Sequence, residues 1–124
     1  MTLLETFPPD ANVAVIGASG GIGGAAIRLL SADERVAGIY AFSRNGEVQD
    51  LPKVTAGRID FDDEASIADA ADVATRNGPL DLVFVASGIL WEGNELKPEK
   101  AMREISMDGL VRLFAVNAAG PALV

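Results

Sequence analysis

Apolar residues in this chain come in short runs broken by polar and glycine-rich stretches. Residues 13–16 (Val13, Ala14, Val15, Ile16) form the first run and read as a buried strand. Glycines follow at once, and Ile22, Ala26, Leu29 and Leu30 then recur at helical spacing, which predicts a helix over residues 21–32 with those four facing a sheet. Residues 36–42 predict a second strand, closed by Ser43, Arg44, Asn45 and Gly46, in which Asn-Gly is a turn signal. Residues 47–52 read as loop, and residues 54–59 as a weaker third strand interrupted by Gly57. Asp62 or Asp63 can cap a helix over residues 65–76, with Ile67, Ala71 and Ala74 on its inner face. Residues 82–86 are almost continuously apolar, the pattern of a parallel strand covered on both faces. Residues 87–96 read as loop, and residues 98–105 and 108–117 as helices.

Strands alternating with helices predict an α/β fold, a Rossmann-type doubly wound parallel sheet of about four strands in the order 3-2-1-4. The 124 residues suffice for one domain, expected over 1–124 and incomplete, because the final apolar helix has no later element to pack on.

Composition narrows the function classes. Ten Lys and Arg against 18 Asp and Glu leave a net charge of −8, which disfavours nucleic acid and anionic membranes as partners. The chain has no Cys and no His, which removes thiolate nucleophiles, imidazole bases and ordinary zinc sites. Asp60, Asp62, Asp63 and Glu64 sit at a predicted helix start, where dipole effects account for them without a metal. No apolar stretch reaches the ~18 residues of a membrane span, and the N-terminus lacks the basic start and apolar middle of a signal peptide. A cytoplasmic protein is expected.

The candidate chemistry begins at the exit of the first strand. Gly17, Ala18, Ser19, Gly20, Gly21, Ile22 and Gly23 join strand to helix, and glycines there let the backbone approach a phosphate while the helix start offers free N–H groups. A tight turn without ligand is the alternative. The spacing Gly17-x-x-x-Gly21-x-Gly23 resembles the short-chain dehydrogenase/reductase family, and the overlapping Gly17-x-x-Gly20-x-x-Gly23 resembles its extended or atypical members. The resemblance implies an oxidoreductase that moves hydride between a nicotinamide cofactor and a carbonyl or alcohol. A guanidinium after the second strand suits a 2′-phosphate, so Ser43 and Arg44 point to NADP over NAD. Asp60 and Phe61 resemble the family's adenine-binding pair; Asp60 as a plain turn residue is the alternative. Ala86, Ser87 and Gly88 stand where the family has Asn-Asn-Ala-Gly, and would flank the nicotinamide ribose. Ser87 is no nucleophile, since no histidine exists to activate it.

Asn117 lies in an apolar helix, four residues before Pro121. Proline has no N–H to give the Asn117 carbonyl. In the family the matching asparagine distorts this helix and its carbonyl holds a water of a proton relay, so Asn117 is the one catalytic candidate. The family also packs this helix in a dimer interface, and the face of Leu110, Phe114 and Leu123 points to a homo-oligomer. Gly88, Ile89 and Leu90, then Pro98, Glu99 and Lys100, Val116 to Ala118, and Gly120 to Leu123 together resemble the C-factor-like bacterial subgroup. The family's catalytic Ser and Tyr-x-x-x-Lys are missing: the one tyrosine, Tyr40, has Arg44 four residues on. The expectation is therefore the cofactor-binding part of a longer enzyme, inactive alone. A non-catalytic NADP-binding sensor or signalling protein of the same fold stays open.

Overall fold

The computed structural model describes residues 4–124; the first three residues, part of the stretch read for a leader, lie outside them. Four strands form one parallel sheet: β1 (Ala11–Ile16), β2 (Val36–Ser43), β3 (Val54–Arg58) and β4 (Leu82–Val85), ordered β3-β2-β1-β4. Helix α1 (Gly21–Ser31) links β1 to β2, and α2 (Glu64–Thr75) links β3 to β4. The expected fold class and strand order are those observed. The chain divides into two compact units, the first ending at Ala86 and the second running from Ser87 to Val124.

In the first unit the period-two geometry of a strand sorts side chains onto two covered faces. Val13, Val15, Ile39 and Ala41 pack with Ile27 and Leu30 of α1. Ala14, Ile16, Tyr40 and Phe42 pack with Ile67, Ala70 and Ala74 of α2. Because both faces are covered, residues 13–16 of β1 and 39–42 of β2 are a nearly continuous apolar run rather than alternating. Gly57, which weakens β3 as a sequence signal, is needed there: a Cβ would lie 2.6 Å from the Phe42 ring of the neighbouring strand. The start of β4 is pinned to β1, with the Asn12 N–H donating to the Asp81 carboxylate at 2.9 Å and the Asp81 N–H to the Asn12 carbonyl at 2.8 Å.

The predicted inner faces are met in part: Leu30 of α1 and Ile67 and Ala74 of α2 are buried as expected, while Ile22, Leu29 and Ala71 are not. In α1 the buried positions are Gly23, Gly24, Ile27 and Leu30, while Ile22 and Leu29 are exposed. In α2 the inner residues are Ser66, Ile67, Ala70 and Ala74, with Ala71 outside. Asp63 stands at the N-cap of α2 but makes no side-chain capping bond; its carboxylate goes to Arg58 instead.

No helix joins β2 to β3. Residues 47–53 form a strap whose Val48 and Leu51 pack on the α1 side of the core. The Ser31 hydroxyl donates to the Pro52 carbonyl at 2.7 Å, and the Lys53 ammonium to the Asp33 carbonyl at 2.7 Å. Asp33 itself is fully buried, a residue that composition and periodicity did not single out. Its carboxylate accepts from the N–H groups of Leu4 (3.2 Å) and Arg35 (2.9 Å).

The second unit differs most from expectation. Residues 98–105 do not form a helix; they hold one 3-10 turn at Met102–Glu104, preceded by extended Ala101. Met102 and Ile105 are exposed there, so burial adds nothing to a segment too short to be helical alone. Helix α3 (Met107–Phe114) begins one residue early because the Ser106 side chain caps it, accepting from the Gly109 N–H at 3.1 Å. It passes into a π-helical segment, Ala115–Ala119, and then α4 (Gly120–Leu123). Leu96, in a small turn closed by paired bonds with Glu92, is buried. Arg112 of α3 holds Glu92 through two nitrogens, at 2.7 and 2.8 Å. Met107, Val111 and Phe114 face outward. Among the described residues no helix is long and apolar enough to cross a membrane.

Replacing Asp33 by alanine strands two half-buried backbone donors and empties a fully buried carboxylate site. The Asp33→Ala variant is expected to lose about 3 kcal/mol, read as a lower urea midpoint at an unchanged slope.

Candidate functional site

The loop between β1 and α1 is shaped by one close approach. A Cβ on Gly23 would lie 2.0 Å from the Gly17 carbonyl oxygen, so α1 can press onto the strand exit only because position 23 is glycine. Gly17 has a φ of +84°, a region costly to any residue with a side chain. The N–H groups of Gly17 and Ala18 both donate to the Phe42 carbonyl, at 2.9 and 3.0 Å, and tie the loop to β2. Ser19, Gly20, Gly21 and Ile22 are exposed, and a Cβ on Gly21 would meet nothing within 4 Å.

Helix α1 opens with no side-chain cap and no acidic residue in its first turn. Its first amides and the positive end of its dipole therefore face an open space with nothing negative on the helix to satisfy them. This is a cradle that an anion fits. It lies where the sheet order reverses, between β1's neighbours β2 and β4, at the carboxyl ends of the strands. Ala86, just past β4, is held to β1 by its N–H donating to the Ile16 carbonyl at 2.8 Å.

The turn after β2 is organised by Ser43. Its hydroxyl is buried and sits 2.9 Å from the Glu47 carbonyl and 3.1 Å from Asn45 Oδ1. The Ser43 carbonyl accepts from Gly46 and Ile59. Arg44 is exposed at the tip of this turn. Ser43 therefore holds the turn's shape, and Arg44 is the residue of the pair that faces outward.

After β3, Asp60 and Phe61 are half-buried. The Asp60 carboxylate accepts from the Asp62 N–H at 2.9 Å and lies 3.4 Å from Arg58, while the Asp60 N–H donates to Ser66 Oγ at 2.9 Å. Arg58 also bonds Asp63 at 3.0 Å and holds the Asp63 carboxyl below the usual range. A carboxylate whose folded pKa is depressed contributes stability above its unfolded value, and that contribution is lost as the pH falls through the folded one.

In the second unit, Asn117 makes a paired contact with one peptide. Its Oδ1 accepts from the Ile89 N–H at 2.7 Å and its Nδ2 donates to the Ile89 carbonyl at 2.8 Å. Gly88, beside this contact, would carry a Cβ 3.4 Å from Asn117 Oδ1, and Ser87 is half-buried. Neither the Asn117–Ile89 pair nor the π-helical register was read from the sequence. The signal was present in Pro121. The Gly120 N–H reaches back five residues to the Ala115 carbonyl, and proline at the next position has no N–H to continue either register.

No family model and no curated protein matches this sequence. Solved structures do. A short-chain dehydrogenase/reductase from Serratia marcescens is 26% identical over 93% of this chain, with a TM-score of 0.71. A short-chain dehydrogenase family protein from Francisella tularensis is 20% identical over 91%, at 0.72. An NADPH-bound carbonyl reductase from chicken fatty liver is 20% identical over 96%, also at 0.72. The chain has the fold of the short-chain dehydrogenases/reductases. The family resemblance read from the glycine spacing is borne out by these neighbours. This chain spans 49%, 43% and 47% of those three chains, under half their length.

Two measurements test the geometry. Gly23→Ala is expected to cost about 3 kcal/mol through its clash with backbone, while Gly21→Ala, facing open space, changes unfolding stability by less than about 1 kcal/mol. In Arg58→Gln, the Asp63 carboxyl should titrate higher, back toward 3.8, when followed by NMR.

Proposed function

We propose that this chain is the dinucleotide-binding part of an NADP-dependent short-chain oxidoreductase. The observation that carries the reading is the uncapped, acid-free start of α1 at the sheet's switch point, behind a loop that only glycine at position 23 permits. Of the loop from Gly17 to Gly23, the amides not bonded within the protein, those of Ser19, Gly21, Ile22 and Gly23, would hold the pyrophosphate, while Gly17 and Gly20, whose N–H groups donate to the Phe42 and Gly17 carbonyls, would shape the turn around it. Arg44 would pair with the ribose 2′-phosphate from the turn that Ser43 organises, and its guanidinium is the ground for preferring NADP to NAD. Asp60 and Phe61 would border the adenine, with Asp60 held in place by the Asp62 amide.

The cofactor, when bound, supplies hydride exchange with a carbonyl or alcohol. This chain's own residues bind and orient it. On the family resemblance, Ala86, Ser87 and Gly88 would border the nicotinamide ribose. Asn117 would act through its main-chain carbonyl, its side chain being engaged with Ile89. Tyr40 is unsuited to be the general acid, because it is buried in β2 with its hydroxyl accepting from Asn77 Nδ2 at 3.2 Å. The catalytic Ser and Tyr-x-x-x-Lys would then belong to a longer protein, cytoplasmic and acting on a small carbonyl or alcohol. The outward residues Val111 and Phe114 of α3 favour assembly with a second copy.

Arg44→Asp tests the reading by calorimetry with both cofactors. NADP affinity should fall at least about tenfold, the equivalent of one lost charge-assisted contact, while NAD binding changes little. Equal losses for both would remove Arg44 from the ribose phosphate.

A further inference from the structure

A second donor group stands on the same side of α1 and has no part in the reading so far. Gly24 is buried although it has no side chain to bury. The space where its Cβ would lie is bounded by the Ala18 carbonyl at 3.5 Å, Arg28 Nη1 at 3.6 Å and Gln49 Nε2 at 3.6 Å. Arg28 belongs to the last turn of α1, where a cation favours the helix by bonding the final carbonyls. Its guanidinium instead reaches back one turn, toward the helix start, as side chains on a helix lean. Gln49 comes to the same point from the strap between β2 and β3, the strap that begins beside the Ser43–Glu47 turn.

Both residues are exposed and their side chains are open to a ligand. Among the described residues no hydrogen bond or ion pair engages the side chain of Arg28 or of Gln49. Three other cations of this unit are committed: Arg35 donates to the Phe7 carbonyl, Lys53 to the Asp33 carbonyl, and Arg58 to Asp60 and Asp63. A guanidinium held toward a helix N-terminus is also on the unfavourable side of the dipole, which an anion would correct. A glycine at position 24 keeps the gap open; almost any other residue would fill it.

We propose that Arg28 and Gln49, which border the same space over Gly24, form a second donor pair for the phosphate on the ribose, so that the chain's preference for a 2′-phosphorylated nucleotide rests on two guanidinium groups rather than on Arg44 alone. This rests on the nucleotide reading above. It names a monoester phosphate as the ligand group, a dianion that accepts from both donors at once and is better matched by two cations than by one.

The test uses 2′,5′-ADP and 5′-ADP as probes on this chain by calorimetry. Wild type should prefer 2′,5′-ADP. Arg28→Gln should weaken 2′,5′-ADP about tenfold and leave 5′-ADP unchanged, with a shallower salt dependence for the first probe. Gly24→Glu makes the contrast sharper. Its carboxylate would occupy the gap and pair with Arg28 at i, i+4, which raises the urea midpoint of the fold while lowering 2′,5′-ADP affinity. Wild-type preference that survives Arg28→Gln would overturn the second donor pair and leave the nucleotide site standing. Wild type that binds neither probe, or both alike, would sink the nucleotide reading itself and this inference with it. Should Gly24→Glu fail to fold, Arg28→Gln decides the matter alone.

Discussion

The close packing of Gly23 on the Gly17 carbonyl is the constraint from which the rest of the first unit follows. It fixes how α1 rotates over the sheet. With position 23 pressed against the strand exit, Ile27 and Leu30 are the residues left facing Val13, Val15 and Ile39. Ile22 and Leu29, apolar and helically spaced, are turned outward. The same contact aims the start of α1 at the strand ends with its amides uncapped, so a packing requirement and an anion cradle are one arrangement.

The strap between β2 and β3 is the second device. Where a longer connection would carry a helix, residues 47–53 cover the sheet with Val48 and Leu51 alone. Anchors to Ser31 and Asp33 hold the strap down. Its near end is the Ser43 turn. A buried hydroxyl and a carbonyl shared by two amides make that turn rigid, so Arg44 is presented from a fixed base. The far side of the strap brings Gln49 Nε2 to the space over Gly24 that Arg28 Nη1 also borders. A short, tightly fastened connection thus gathers donor groups that lie far apart in the chain, in an acidic protein with few cations to place.

In the second unit the organising element is a local irregularity. The π-helical turn at Ala115–Ala119 shifts the register by one residue just before a proline that could not have continued it. The shift costs little there, since the ladder loses a rung at Pro121 in any case. It also sets Asn117 so that both ends of its amide meet the Ile89 peptide, where an unbonded amide in an apolar helix would be destabilising.

Strand positions, the α/β order and the glycine loop were legible in the sequence, because continuous apolar runs and a glycine cluster each have a single economical reading. The helix over residues 98–105 was misread since its residues have helical propensity but nothing to bury against. Helix faces were legible only in part, Leu30, Ile67 and Ala74 lying inside while Ile22, Leu29 and Ala71 lie outside, because periodicity cannot tell which of two neighbouring stripes meets the sheet. Asp33 was overlooked, as a lone aspartate looks like surface until tertiary contacts enclose it. By itself the sequence determined the strands and the residue types able to meet phosphate, but not the cover of every strand: β4, expected to be covered on both faces, is at the sheet edge and leaves Val83 exposed. Tertiary structure alone decided that Gly23 sets the helix rotation, that Ser43 faces inward while Arg44 faces out, and that Arg28 and Gln49 border the same space over Gly24. Those outcomes depend on contacts between segments many residues apart, which no local pattern encodes.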